Sequence, residues 1–280
     1  MDHSTLFDNT CAECSSLITR RYSTSFSMGI RLFNHRFRAP ICGIYGFVRF
    51  ADEIVDTFHN YPKETLLQRF RADTQTAIEE GISLNPVLHS FQKVVREYNI
   101  EWPLIDAFLK SMEMDLDNTT YNENAYDEYI YGSAEVVGLM CLRVFCEGQD
   151  ADYQRLKEPA RHLGAAFQKV NFLRDIKSDF EERGRVYFPG VDFKRFTQQD
   201  KIAIEADIKA DFDAALEGIR HLPKGARLGV YLAYKYYTQL FVKIKKAPAQ
   251  QIAQERFRVS DKKKIYLLFS SALRHQFNVL

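Results

Sequence analysis

The chain has 280 residues, 38 Lys and Arg against 37 Asp and Glu, and 46% hydrophobic residues. A chain this long buries roughly three quarters of its unfolded surface, enough for one large core. With 27% charged residues, 13 Gly and 8 Pro, collagen-like, low-complexity and disordered readings are excluded, and the net charge of +1 argues against a nucleic-acid binder, whose face needs a basic surplus.

The N-terminal residues Met1 to Thr5 lack the basic and apolar regions of a signal peptide. Cys11 and Cys14 form a lone C-x-x-C with no second Cys or His pair to complete a zinc set, and the odd total of 5 cysteines reads as reduced thiols. No uninterrupted apolar run approaches the ~20 residues of a spanning helix. The expectation is a soluble cytoplasmic protein.

Ile44–Phe58 is the first unusual segment. On a helical projection Tyr45, Arg49, Asp52 and Asp56 stack on one narrow face, and Ile44, Phe47, Val48, Phe50, Ala51, Ile54, Val55 and Phe58 cover the rest. A polar stripe on an apolar cylinder implies a buried helix whose carboxylates face a cavity, and such carboxylates need a cationic partner. Leu66, Phe70, Ala77 and Ile78, then Val87, Phe91, Val94 and Val95, recur at helical spacing. Breakers fall between such segments at Pro40, Pro62, Pro86, Pro103, Pro159, Pro189, Pro223 and Pro248. Leu163–Phe180 repeats the stripe: Gln168, Asn171, Asp175 and Asp179 share one face, opposite Leu163, Ala166, Val170, Leu173 and Phe180. Hairpin signals and solenoid-period repeats are absent. The prediction is one all-α domain over 1–280, with 1–15 an N-terminal segment, 268–280 a tail, and about eight to twelve helices.

Aspartates at i and i+4 place oxygens within ~6 Å, where they repel unless they share a cation. One such pair is commonly a solvated face. Two, each on an apolar helix and each beside an arginine (Arg49, Arg174), describe a site where Mg²⁺ holds a substrate diphosphate. The apolar walls would shelter an allylic cation from water. No phosphate-binding G-x-x-x-x-G-K-[ST] loop and no strand-borne G-x-G-x-x-G is present, which disfavours nucleotide hydrolysis and a nicotinamide cofactor.

The sequence resembles the squalene/phytoene synthase family, the head-to-head prenyl synthases. The matching blocks are Tyr22-Ser-Thr-Ser-Phe26, Tyr45 to Asp56, Tyr129 to Gly138, Gln168 to Asp179 and Gly184-Arg-Val-Tyr-Phe-Pro189, in family order between about Tyr22 and Leu267. The resemblance implies an isoprenoid-synthase helical fold with a central apolar cavity. It further implies Mg²⁺, with Mn²⁺ an alternative, held by Asp52, Asp56, Asn171, Asp175 and Asp179. Diphosphate would be contacted by Arg49, Gln168, Arg174, Arg185 and Tyr187. Ser23, Phe26, Tyr45, Tyr131 and Tyr237 would belong to the substrate cavity, where aromatic faces stabilise cations. The run Gly132-Ser133-Ala134 with Gly138 fits either a roomy wall or close helix packing. Ser133-Ala-Glu135 departs from the Val-Ala-Gly of many members, and Tyr22 stands where several carry His.

The Arg-Val-Tyr-Phe-Pro run and Arg256-Phe-Arg-Val-Ser-Asp261 look most like bacterial phytoene synthases. That implies joining of two geranylgeranyl diphosphates without NADPH. The alternatives are a C30 synthase acting on farnesyl diphosphate, a non-catalytic binding or assembly homologue, and, third, a terpene cyclase. Tyr231, Tyr234, Tyr236 and Tyr237 crowd one helix and read mainly as core. Lys243, Lys245, Lys246 and Lys262-Lys263-Lys264 are a solvated face or, on the sharper reading, a means of peripheral attachment to anionic lipid at the inner face of the membrane. No obligatory protein partner is indicated.

Overall fold

The structure, a computed structural model, describes residues 2–117, 120–192, 195–252, 254, 256–260, 267 and 271. The helices in chain order are α1 (His3–Tyr22), α2 (Thr24–Arg31), α3 (His35–Asp56), α4 (Lys63–Glu80), α5 (Pro86–Tyr98), α6 (Trp102–Asp117), α7 (Glu123–Ile130), α8 (Val136–Cys146), α9 (Asp150–Arg183), α10 (Gln198–His221), α11 (Lys224–Lys246) and α12 (Ala249–Ile252), with a π turn, Tyr131–Glu135, joining α7 to α8. Among the described residues there is no strand; a single parallel bridge pairs Thr120 with Val186. Local chemistry sets many of the starts. The side chains of Ser23, Asn34, Asn85 and Asn122 accept from the opening backbone N–H groups of α2, α3, α5 and α7, and Thr197 with Asp200 forms a capping box on α10.

Two breakers do not break. Pro40 lies inside α3 and Pro159 inside the 34-residue α9. An interior proline costs about 3 kcal/mol in a helix, and burial outweighs it here. Ile41, Ile44 and Phe47 beyond Pro40 are almost wholly buried, each apolar side chain contributing about 1.5–3 kcal/mol. Around Pro159, α10 comes so close that a Cβ on Gly218 would sit 2.2 Å from the proline Cβ. A further revision concerns Glu123–Cys146, the α7–π–α8 run. By length and a mean hydropathy of 1.3 it could cross a membrane, but 67% of that stretch is buried inside the protein, as for a core helix. The buried apolar face expected up to Phe58 stops short of it, since α3 ends at Asp56 and Phe58 is exposed.

α8 and α9 run antiparallel in a fixed register. A Cβ on Gly164 would meet the Ala134 carbonyl at 2.6 Å, and one on Gly138 the Ala160 carbonyl at 3.0 Å. The small residues therefore serve close packing, and Ser133, Ala134 and Gly138 also line the central cavity. Gly132 is packing alone, since its Cβ would lie 2.4 Å from the Ala107 carbonyl. Charged ties join α9 to α10: Lys169 pairs with Asp207 and Asp211, and His162 with Asp211.

Candidate active site

A cavity of about 520 Å³ lies between α2, α3, α8, α9, α10 and α11. α9 lines it from Leu156 to Arg174, which at 1.5 Å rise per residue is a length of about 27 Å. The polar lining is concentrated at one end. There Gln168, Asn171 and Arg174 of α9 meet Ser23, Tyr45 of α3 and Tyr237 of α11. Tyr237 donates from its hydroxyl to Asn171 Oδ1 (3.3 Å) and stacks on Phe167 at 4.0 Å; Phe26 stacks on Tyr45 at 4.9 Å. Burial raises the pKa of both Tyr45 and Tyr237, so the two phenols stay neutral donors. Tyr236 also lines the cavity, whereas Tyr231 and Tyr234 are core.

The acid stripes flank this polar end. On α3, the Arg49 guanidinium donates to Asp52 (2.5 Å) and to Glu53, and lies over the ring of Tyr22 at 4.4 Å. Desolvation first, and then the neighbouring Asp56 charge, push the Asp52 carboxyl up to about 6. Asp56 accepts from Arg185 at 3.2 Å. On α9, Asp175 is held from both sides, by Arg174 and by Arg256, whose Nε lies 2.7 Å from Oδ1. Asp179 is buried one helical turn further on.

Arg185 and Tyr187 belong to a buried nest that the sequence reading missed. Its centre is Asp115 of α6, whose carboxylate accepts from the hydroxyls of Tyr129 (2.7 Å), Tyr121 (3.2 Å) and Tyr187 (3.3 Å). Arg185 lies 3.5 Å from the same carboxylate and donates to the Asp115 carbonyl at 2.8 Å. It therefore bridges Asp115 to Asp56. Burial, opposed by Arg185, lifts the Asp115 carboxyl to about 6. The signal was present: Leu104, Phe108, Ser111 and Asp115 share one stripe of α6, so the acid lies on a buried face. Arg256 carried no such signal, because it reaches Asp175 across 81 positions of sequence.

Tyr131 is a correction. It is not among the residues lining the cavity; its ring lies under Arg161 at 5.5 Å. It opens the π segment, while Ser133 two residues on does line the cavity. Glu135 likewise stays out of the cavity, accepting from Arg161 at 2.6 Å. Tyr187 is buried in the Asp115 nest, stacked on Phe172 at 4.0 Å, and not in the cavity wall. Of the basic clusters, Lys243 donates to the Arg258 carbonyl at 3.0 Å; Lys262-Lys263-Lys264, and the tail 268–280 apart from Ser271, lie outside the described residues.

Asp52, Asp56, Asn171, Asp175 and Asp179 offer only hard oxygen donors, the type Mg²⁺ and Mn²⁺ select. The Asp52 carboxyl is raised by burial and then by the Asp56 charge, and a cation beside it would relieve both, so the donor chemistry fits a divalent cation. Among the described residues, no three Asp, Glu, His or Cys side chains converge as one ligand group, and arginines hold Asp52, Asp56 and Asp175.

An arrangement of this kind, helical among the described residues around an apolar cavity whose polar end is flanked by acid-bearing helices, is the isoprenoid-synthase fold. It superposes on the crystal structure of a dehydrosqualene synthase with a TM-score of 0.81 at 20% identity, covering 96% of this chain and 98% of that one. The chain belongs to the squalene/phytoene synthase family, whose model matches residues 19–263. It is 28% identical over 175 residues to the phytoene synthase of Mycobacterium tuberculosis, covering 61% of this chain and 55% of that one. To the presqualene diphosphate synthase of Rhodopseudomonas palustris it is 32% identical over 171 residues, covering 59% and 58%. The chain thus spans a little over half the length of these two relatives.

Proposed function

We propose that the protein condenses two geranylgeranyl diphosphates head to head, through a cyclopropylcarbinyl diphosphate (prephytoene diphosphate), to phytoene, the first step of carotenoid synthesis, without NADPH. One observation carries this: an apolar cavity, walled along α9 from Leu156 to Arg174, ends in the polar side chains Gln168, Asn171 and Arg174 and is flanked there by two acid-striped helices. Its length supports the longer substrate. Sixteen main-chain carbons in extended form span about 19 Å and twelve about 14 Å, at ~1.5 Å per bond with zigzag shortening. A diphosphate head added to the former uses most of the ~27 Å along α9.

In this reading Asp52, Asp56, Asn171, Asp175 and Asp179 hold Mg²⁺, which when bound supplies neutralisation of the diphosphate leaving group. The arginines on those carboxylates become free to pair with diphosphate oxygens, Arg174 and Arg49 first because they stand nearest the cavity's polar end. The C1–O bond of one substrate breaks. The double bond of the second attacks the allylic cation, and loss of a proton closes the cyclopropane. The second diphosphate then leaves, the skeleton rearranges, and a final proton is lost to give the hydrocarbon. Phe26, Tyr45, Phe167 and Tyr237 present ring faces to the positive carbon, while the apolar lining keeps water from capturing it.

The match to a presqualene diphosphate synthase favours one second reading, a C30 condensation of farnesyl diphosphate. Purified protein given Mg²⁺ and each diphosphate separately, without NADPH, decides by mass spectrometry. A C40 hydrocarbon from the longer substrate supports the proposal, a C30 product transfers it to the second reading, and no product from either overturns both. Peripheral attachment to anionic membrane is part of the same proposal, supported by exposed Lys243, Lys245 and Lys246 at the end of α11; failure to pellet with anionic liposomes at low salt would remove it.

A further inference from the structure

The residues at the cavity's closed end follow from the packing register. Ala134 of the π turn is level with Gly164 of α9, and Gly138 of α8 with Ala160. Continuing along α8 away from the polar end brings Cys141 and Leu142 level with Leu156, and then Phe145 beyond it. α3 agrees, since its lining residues run from Val48 and Tyr45 back to Ile41, and Phe37, one turn further from Asp52, packs edge-on against Phe145 at 5.6 Å. Phe33, from the turn before α3, meets Phe145 at a ring separation of 5.1 Å, and both rings line the cavity. Neither can swing aside freely. Phe33 rests on Gly229 of α11 so closely that a Cβ there would lie 2.3 Å from the ring, and Phe145 is braced by Phe37.

We propose that the Phe33–Phe145 pair is the stop that sets the longest prenyl chain this cavity accepts. The proposal rests on the reading of the cavity as a prenyl-diphosphate site and names what fixes its chain-length limit. A chain bound by its diphosphate at Arg174 and Asn171 extends down α9 until its terminal isoprene unit meets two aromatic rings fixed from behind. Close packing lets neither ring retreat, so an added five-carbon unit clashes or must fold back. Removing one ring opens space continuous with the cavity, where a longer tail gains burial.

The test uses Phe145→Ala and Phe33→Ala, with Phe145→Leu and Phe33→Leu should the larger truncations fail to fold, and Val242→Ala, at an exposed position that does not line the cavity, as a control. Competing C20 and C25 prenyl diphosphates give the ratio of kcat/KM values. In parallel, saturated alkyl diphosphates of increasing length are bound without turnover and read by thermal shift. The expected result is a rise of about tenfold or more in the C25 to C20 ratio on truncating either ring, the scale on which apolar pockets discriminate chain length. The alkyl length of tightest binding should move upward in the same variants, with Val242→Ala leaving both measures unchanged. If wild-type protein binds alkyl diphosphates with a length optimum that the variants shift, yet turns over no prenyl diphosphate, the condensation reading falls and the stop stands. An optimum that neither ring variant moves, or the absence of any optimum in the wild type, overturns the stop.

Discussion

The two acid helices carry the same D-x-x-x-D spacing in opposite electrostatic settings. On α3, Arg49 is divided between Asp52 and Glu53, and Asp56 shares Arg185 with the buried Asp115. Four carboxylates thus share these two arginines, and burial, with the Asp56 charge behind it, drives the Asp52 carboxyl up to about 6. On α9, Asp175 has Arg174 on one side and Arg256 on the other. Spacing places carboxylates together; long-range neighbours decide how strongly they demand a cation.

The largest expected effect is from Asp52→Asn and Asp175→Asn. Each should lower turnover about a thousandfold or more, as loss of a group acting on the leaving diphosphate does, with far-ultraviolet circular dichroism unchanged. Near-normal activity in either would sink the metal assignment for that helix.

The arginines sharpen the contrast. Arg185 is buried between Asp56 and Asp115, and Arg185→Ala would leave buried charge uncompensated, costing about 3–5 kcal/mol of stability by denaturant titration. Arg256 has a side chain 51% exposed. Arg256→Ala should change stability by at most about 1 kcal/mol while weakening turnover, because Asp175 loses one of its two positioning contacts. Equal stability losses would show that the two helices do not differ in this way.

A cation-binding test is smaller. Mg²⁺ should raise the melting temperature of the wild type and raise it less in Asp52→Asn, by linkage of binding to folding; an equal rise in both would detach Asp52 from the ion.

The smallest effect concerns pH. The folded-state Asp115 carboxyl titrates at about 6 against an ordinary 3.8, so between those values the folded state holds the extra proton. Stability from this group is therefore present at low pH and lost as pH rises through about 6. Asp115→Asn lacks that loss, so the melting-temperature gap between wild type and variant should narrow from pH 5 to pH 7, on the order of a few degrees. A gap that widens would contradict the assignment of Asp115 as the raised group.

The acid stripes were legible because helical periodicity is local: Asp52 with Asp56 and Asp175 with Asp179 face together on any α-helix whatever surrounds it. The family blocks likewise lie in contiguous sequence. Pro40 and Pro159 were misread because a local rule against interior proline was outweighed by burial from distant segments. Tyr131, assigned to the cavity on the resemblance alone, lies in a π turn with its ring under Arg161, a contact between segments about thirty residues apart that no local pattern announces.

By itself, then, the sequence determined an all-helical chain, its two acid-bearing helices, its family, and most of the polar residues at the cavity's end, all of which depend on neighbours within a few turns. Only the tertiary structure decided that Asp115 sits under three tyrosine hydroxyls, that Arg185 joins it to Asp56, that Arg256 returns to Asp175, and that Phe33 and Phe145 close the cavity. Each of those contacts joins separate elements of the fold, from 6 positions apart for Asp115 and Tyr121 to 129 for Asp56 and Arg185, and its existence depends on helix register and approach distance, which side-chain order alone does not encode.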